Sequence, residues 1–146
     1  MKGEVAGLAR HSASRAPIET LDSTRIAIET GVEGDCHGAP GPRQVTVVSE
    51  EAWKAALAEL GCELSWTLRR ANLLVRGIDL RDSVGARLCS GELILEISEE
   101  NPPCFVMDRQ YRGLREALKP DWRAGVACRV LRGGTLRVGD FISLAR

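Results

Sequence analysis

Short apolar runs with a two-residue period, broken by glycine, dominate this chain and predict many short β-strands. Lys2 to Leu8 reads as a first strand, Arg25 to Glu29 alternates cleanly, and Gln44 to Val48 is short and β-branched. Asn72 to Val75 and Arg87 to Cys89 continue the series, and Ser90-Gly91 reads as the turn of a hairpin into Glu92 to Ser98. Near the end, Gly133-Gly134 reads as a tight turn between strands Val126 to Leu131 and Thr135 to Val138, with Phe141 to Leu144 as the last strand.

Two segments switch to the helical period. Ser49 offers an N-cap, Glu50 and Glu51 place negative charge on the first turn, and Trp53, Ala56, Leu57 and Leu60 share one face until Gly61. Met107, Tyr111, Leu114 and Leu118 predict a second helix over Met107 to Leu118, weakened in the middle by Gly113 and followed by Pro120. The expected fold class is therefore all-β, a closed or partly open barrel with two or three peripheral helices, in one domain spanning 1–146. The stiff segment Gly38 to Pro42 reads as a functional or capping loop within that domain.

Asn101-Pro102-Pro103-Cys104 follows the most strongly alternating strand. Two prolines remove backbone donors and fix φ, so they end sheet pairing and hold the Cys104 thiol in one orientation. A metal ligand or a sulfur carrier needs such a thiol; an ordinary core cysteine is the alternative on this segment alone.

Composition narrows the function classes. Lys plus Arg and Asp plus Glu both total 20, which favours neither nucleic acid nor an anionic membrane as partner. Aromatic residues make up 4% and are not interleaved with basic ones, as a single-strand platform would require. No apolar run approaches the roughly 20 residues of a membrane span, and Met1 to Arg15 lacks the apolar block of a signal peptide, so the cytoplasm is the expected compartment. Five widely spaced cysteines with no C-x-x-C pair argue against a disulfide framework and against a structural zinc site.

Two further clusters carry candidate chemistry. Gly31 to Gly38 gathers Glu33, Asp35, Cys36 and His37 between glycines, either a ligand loop or a polar turn. On an extended strand Asp35, Cys36 and His37 cannot all face one ion, and with two histidines in the chain a histidine-rich metal site is not expected. Leu68-Arg69-Arg70-Ala71-Asn72 sets paired guanidinium groups and an amide at the start of a strand, where forked donors bind a phosphate or stay solvated.

Taken in order, these segments resemble the MOSC domain, named for the C-terminal domain of molybdenum-cofactor sulfurase. Its order of motifs is matched by Gly31 to His37, Arg43 to Val48, Arg70-Ala71-Asn72, Gly85 to Gly91, Pro103-Cys104, and Gly133 to Asp140. The resemblance implies a compact β-barrel that binds the molybdenum-pterin cofactor or handles sulfur destined for it. Position by position it implies Cys104 as the ligand to molybdenum, Arg70, Asn72 and Arg43 as cofactor contacts, and Asp35 and His37 near the same pocket as acid–base candidates. It further implies a small-molecule substrate such as an N-hydroxylated base, reduced with electrons from a separate donor. The alternative is persulfide transfer through Cys104 from a cysteine desulfurase, with pyridoxal phosphate only on that partner. Cys36 stands where relatives commonly carry a basic residue, and the extra N-terminal barrel and C-terminal extensions of many redox-active relatives have no counterpart here.

Overall fold

The computed structural model describes residues 1–146. Its strands are β1 (Lys2–Arg10), β2 (Glu19–Leu21), β3 (Ser23–Ala27), β4 (Gly31–Val32), β5 (Val45–Ser49), β6 (Leu73–Arg76), β7 (Arg87–Ser90), β8 (Leu93–Glu100), β9 (Val126–Arg132), β10 (Gly134–Arg137) and β11 (Phe141–Ala145). The helices are α1 (Glu50–Leu60), α2 (Val106–Gln110) and α3 (Leu114–Leu118), with 3-10 turns at Trp66–Arg69 and Pro120–Trp122. Hydrogen bonding runs β11-β7-β8-β9-β5-β6-β1, and pairing of β11 with β1 closes these seven strands into a barrel. Closure leaves no open edge among them, and β2 is appended to β1. The pairing of β5 with β6 is parallel (Val47 opposite Leu73), and α1 makes the crossover between these two strands.

The strand alternation predicted from sequence is the alternation of burial. In β8, Leu93, Leu95 and Ile97 are buried while Ile94, Glu96 and Ser98 are less so. Together with Val5, Leu8, Val45, Val47, Leu73, Val75, Leu88, Val126, Cys128, Val130 and Ile142 they fill the interior. A second apolar cluster lies outside the barrel, where Trp53, Ala56 and Leu57 of α1 meet Met107, Leu114, Ala117 and Leu118. Ser49 caps α1 as expected, its Oγ accepting from the Ala52 amide at 3.1 Å.

Two expectations are corrected. The helix over Met107 to Leu118 is broken in two, because Gly113 sits at φ +91°, outside the helical basin, and Tyr111 is extended and partly exposed. Gly133-Gly134 does not join a hairpin: β10 leaves β9 and pairs antiparallel with β3, forming a three-stranded sheet with β4. A side chain on Gly134 would meet the backbone of Leu93 at 2.8 Å, so the dipeptide serves the close approach of the three-stranded sheet to β8 of the barrel.

No helix is long and apolar enough to cross a membrane.

Candidate functional site

Because β1 is antiparallel to β6 and β5 is parallel to it, the C-terminal end of β1 and the N-terminal ends of β5 and β6 meet at one end of the barrel. A cavity of about 470 Å³ opens there, lined by His11 after β1, by Asp35, His37, Ala39, Gly41, Pro42 and Arg43 from the β4–β5 loop, by Thr46, and by Arg70 and Asn72 before β6. Five of the six candidates from the sequence, Asp35, His37, Arg43, Arg70 and Asn72, thus come together around one cavity. Cys104 does not line it.

The β4–β5 loop is fixed by side chains of its own sequence. The buried Gln44 amide donates to the carbonyls of Ile28 and Gly38 and accepts from the Val130 amide, tying the loop to β9. Gly38 passes so close to the backbone that a Cβ would lie 1.7 Å from the Thr30 carbonyl oxygen. Asp35 closes the other side: Oδ1 accepts from the His11 amide at 3.0 Å and Oδ2 from the His37 amide at 3.2 Å, while the Cys36 amide donates to the His11 carbonyl at 2.9 Å. With its side chain 1% exposed, Asp35 holds the loop against the end of β1.

His11 is the participant that sequence reading missed, since Ala9-Arg10-His11-Ser12 carries no motif. It is 6% exposed, its Nδ1 lies 3.6 Å from Asp35 Oδ1 and has no hydrogen-bond partner, and its ring meets the exposed His37 ring edge-on at 5.3 Å. Burial pushes the His11 pKa down, opposed by the Asp35 charge, so the ring is neutral at neutral pH. Partial desolvation, reinforced by the same carboxylate, pushes the Cys36 thiol up.

The arginine pair divides. Arg70 adopts the left-handed conformation at φ +61° where it ends the Trp66–Arg69 turn, and this interruption sends the two side chains different ways. Arg70 lines the cavity and donates to the carbonyls of Ser14 and Ala16. Arg69 is buried and donates to the carbonyls of Ala124 and Asn101, both at 2.8 Å. Burial lowers the Arg69 pKa to about 10, the nearby Cys104 opposing this and Arg43 adding to it, so the guanidinium keeps its charge at neutral pH.

Asn101 connects this buried cation with the cavity. Its carbonyl takes Arg69, and its side-chain oxygen takes the guanidinium of the cavity-lining Arg43, which also faces Glu99 at 3.5 Å. Three residues on, past buried Pro103, Cys104 is exposed two residues before α2, its carbonyl accepting from the Met107 amide. The prolines do end β8, at Glu100, and they display the thiol. Arg69→Met is expected to lower stability by about 2 kcal/mol, since two buried carbonyls lose a charged donor, and to loosen the Cys104 loop. Urea unfolding, together with faster modification of Cys104 by a thiol reagent, checks this.

Asn72 is a brace. Its Oδ1 accepts from the Thr46 amide and lies within hydrogen-bond reach of the Thr46 hydroxyl, its Nδ2 donates to the Ala9 carbonyl, and it is 4% exposed.

Fold and cavity together define a small closed β-barrel with a polar, guanidinium-edged pocket at one end. The MOSC domain model matches residues 33–143, and the chain belongs to the MOSC domain family. Among solved structures, the chain is similar to the YuaD protein from Bacillus subtilis, at TM-score 0.83 and 22% identity over 99% of this chain and 96% of that one. It is also similar to YiiM from Escherichia coli (TM-score 0.73, 15% identity, 100% of this chain and 70% of that one). YiiM from Geobacillus stearothermophilus gives 0.65 and 16%, over 99% and 73%. These likenesses establish the fold. No curated protein matches the sequence.

Proposed function

We propose that this protein binds the molybdenum-pterin cofactor and reduces N-hydroxylated substrates, with Cys104 as the protein ligand to the metal. The reading is supported by membership of a family associated with this cofactor and by one structural observation. Arg43 and Arg70 line the same polar cavity, and Arg43 reaches from it to Asn101, three positions before an exposed thiol. Each donor suits the group in kind, forked cations a phosphate and a thiolate a soft metal, with the thiol outside the lining of the cavity that holds the arginines.

Bound there, the cofactor would supply the two electrons that, with two protons, convert an N–OH group to N–H and water. The chain's own residues do the rest. Arg43 and Arg70 anchor the anionic tail, Thr46 and the Asn72 brace form the wall between them, and the Pro-Pro segment fixes Cys104. Of the two acid–base candidates, Asp35 is engaged by the amides of His11 and His37, so the exposed His37 ring is the group free to move a proton. Electrons come from a separate donor.

A second reading rests on the exposure of Cys104 outside the cavity wall. There a partner protein can reach it, and a persulfide passed from the pyridoxal-phosphate-bearing desulfurase could be carried on its sulfur. One preparation separates the readings. Protein made in a host that synthesises the cofactor is expected to carry stoichiometric molybdenum and pterin fluorescence, with occupancy falling severalfold in Arg70→Ala. A reducible mass gain of one sulfur, lost in Cys104→Ala and without molybdenum, would establish the carrier instead. Unchanged occupancy in Arg70→Ala would remove the arginine as an anchor.

A further inference from the structure

His11, Cys36 and His37 converge although 26 positions of chain separate the first from the last. One ligand atom from each lies within 4.8 Å of the other two. The convergence is built by the backbone: His11 and Cys36 share an amide-to-carbonyl bond, and the Asp35 carboxylate clamps the amides of His11 and His37. Two cavity-lining imidazoles with a thiol beside them are a ligand set, and the buried imidazole carries a nitrogen that nothing in the fold satisfies.

We infer that His11, Cys36 and His37 form a zinc site with three protein ligands and a fourth, exchangeable position facing the cavity. Two nitrogens and one sulfur suit a borderline divalent ion, and three protein ligands with one open position are the pattern of reactive rather than structural zinc. In a tetrahedral site zinc lies roughly 2.0–2.3 Å from such ligands, which sets donor atoms about 3.5 Å apart. The trio must therefore tighten by roughly 1 Å. Cys36 and His37, both exposed, can rotate to do so while buried His11 stays fixed. Asp35 Oδ1, 3.6 Å from His11 Nδ1, places a negative charge beside the trio that favours a bound cation. Binding replaces the S–H bond of Cys36 with a Zn–S bond and releases one proton, with no change of oxidation state.

The site is separate from Cys104 and does not depend on the molybdenum reading. The two uses of His37 exclude each other: with zinc bound, a water on the fourth position takes the place of the free imidazole.

The test is titration of the purified, metal-free chain with zinc against a chromophoric chelator, and with cobalt as spectroscopic probe. One equivalent of zinc is expected, with a tetrahedral cobalt spectrum and a thiolate-to-cobalt charge-transfer band. Cys36→Ser should abolish the band and weaken zinc by more than the roughly 10–100-fold that an outer partner is worth. The residue is exposed, so folding is retained. His11→Gln should weaken binding likewise, while Cys104→Ser leaves zinc affinity and band unchanged. Absence of stoichiometric binding, equal zinc affinity in Cys36→Ser, or loss of the band in Cys104→Ser would each overturn the site. None of these results bears on molybdenum occupancy, which is measured on a different preparation.

Discussion

Cys104→Ser is expected to abolish molybdenum-dependent turnover while leaving the urea midpoint where it is. The thiol is exposed, so its removal opens no cavity and strands no buried partner. Serine is nearly the same size, and its hydroxyl is a poor ligand for a soft metal. The backbone that positions the side chain does not depend on sulfur, since the carbonyl of residue 104 accepts the Met107 amide and Pro103 stays buried. The loss should therefore be larger than tenfold in turnover without a compensating change in fold, and steady-state reduction of an N-hydroxylated base beside an unfolding curve reads both. Cys36→Ser is the control within the same chain: it removes another exposed thiol, and its signature is loss of zinc affinity. Full turnover in Cys104→Ser would take the thiol out of the mechanism.

The contrast between the two thiols shows what the sequence made legible. Cys104 could be read because prolines act locally: they stop β8 and fix the thiol whatever the rest of the chain does. The strands could be read for a similar reason, because burial on one face enforces the two-residue period in β7, β8 and β11, while β5, β6 and β9 show as short apolar, β-branched runs. The Cys36 trio was hidden because it depends on a contact between segments 24 or more residues apart, made by Asp35 on the His11 amide. Regarded as an extended strand, Asp35-Cys36-His37 cannot converge; as a turn pinned by Asp35, its Cys36 and His37 converge on a histidine from elsewhere.

Arginine 69 and arginine 70 illustrate the same limit. Adjacent guanidinium groups read as one clamp, but the positive φ of Arg70 breaks the pair. One arginine faces the cavity and the other supports the Asn101 to Cys104 segment from beneath. No local pattern announces that turn, because Arg is not a residue that favours the left-handed region; the tertiary bonds to Ser14 and Ala16 hold it there. The misplaced Gly133-Gly134 hairpin has a similar origin: the dipeptide has turn composition, but the requirement satisfied is contact with Leu93.

Asn72→Ala should have the largest effect on stability, on the order of 3 kcal/mol, because a single amide serves three strands at once. Its Oδ1 takes the Thr46 amide of β5, its Nδ2 reaches the Ala9 carbonyl of β1, and its own backbone precedes β6. Truncation leaves the Thr46 amide and the Ala9 carbonyl facing a small void in a nearly dry site, and each unsatisfied group costs about 1–3 kcal/mol. These three strand ends also form the cavity wall, so cofactor occupancy should fall with stability, through displacement of Arg70 two residues earlier. On the proposed reading Asn72 would support the pocket by position, whereas Arg70 would act by contact. The two are told apart by their profiles: Arg70→Ala lowers occupancy with a small shift in the urea midpoint, and Asn72→Ala lowers both. A loss below about 1 kcal/mol in Asn72→Ala, within what a single surface contact can account for, would mean that water replaces the amide and that the brace is not what holds this end of the barrel together.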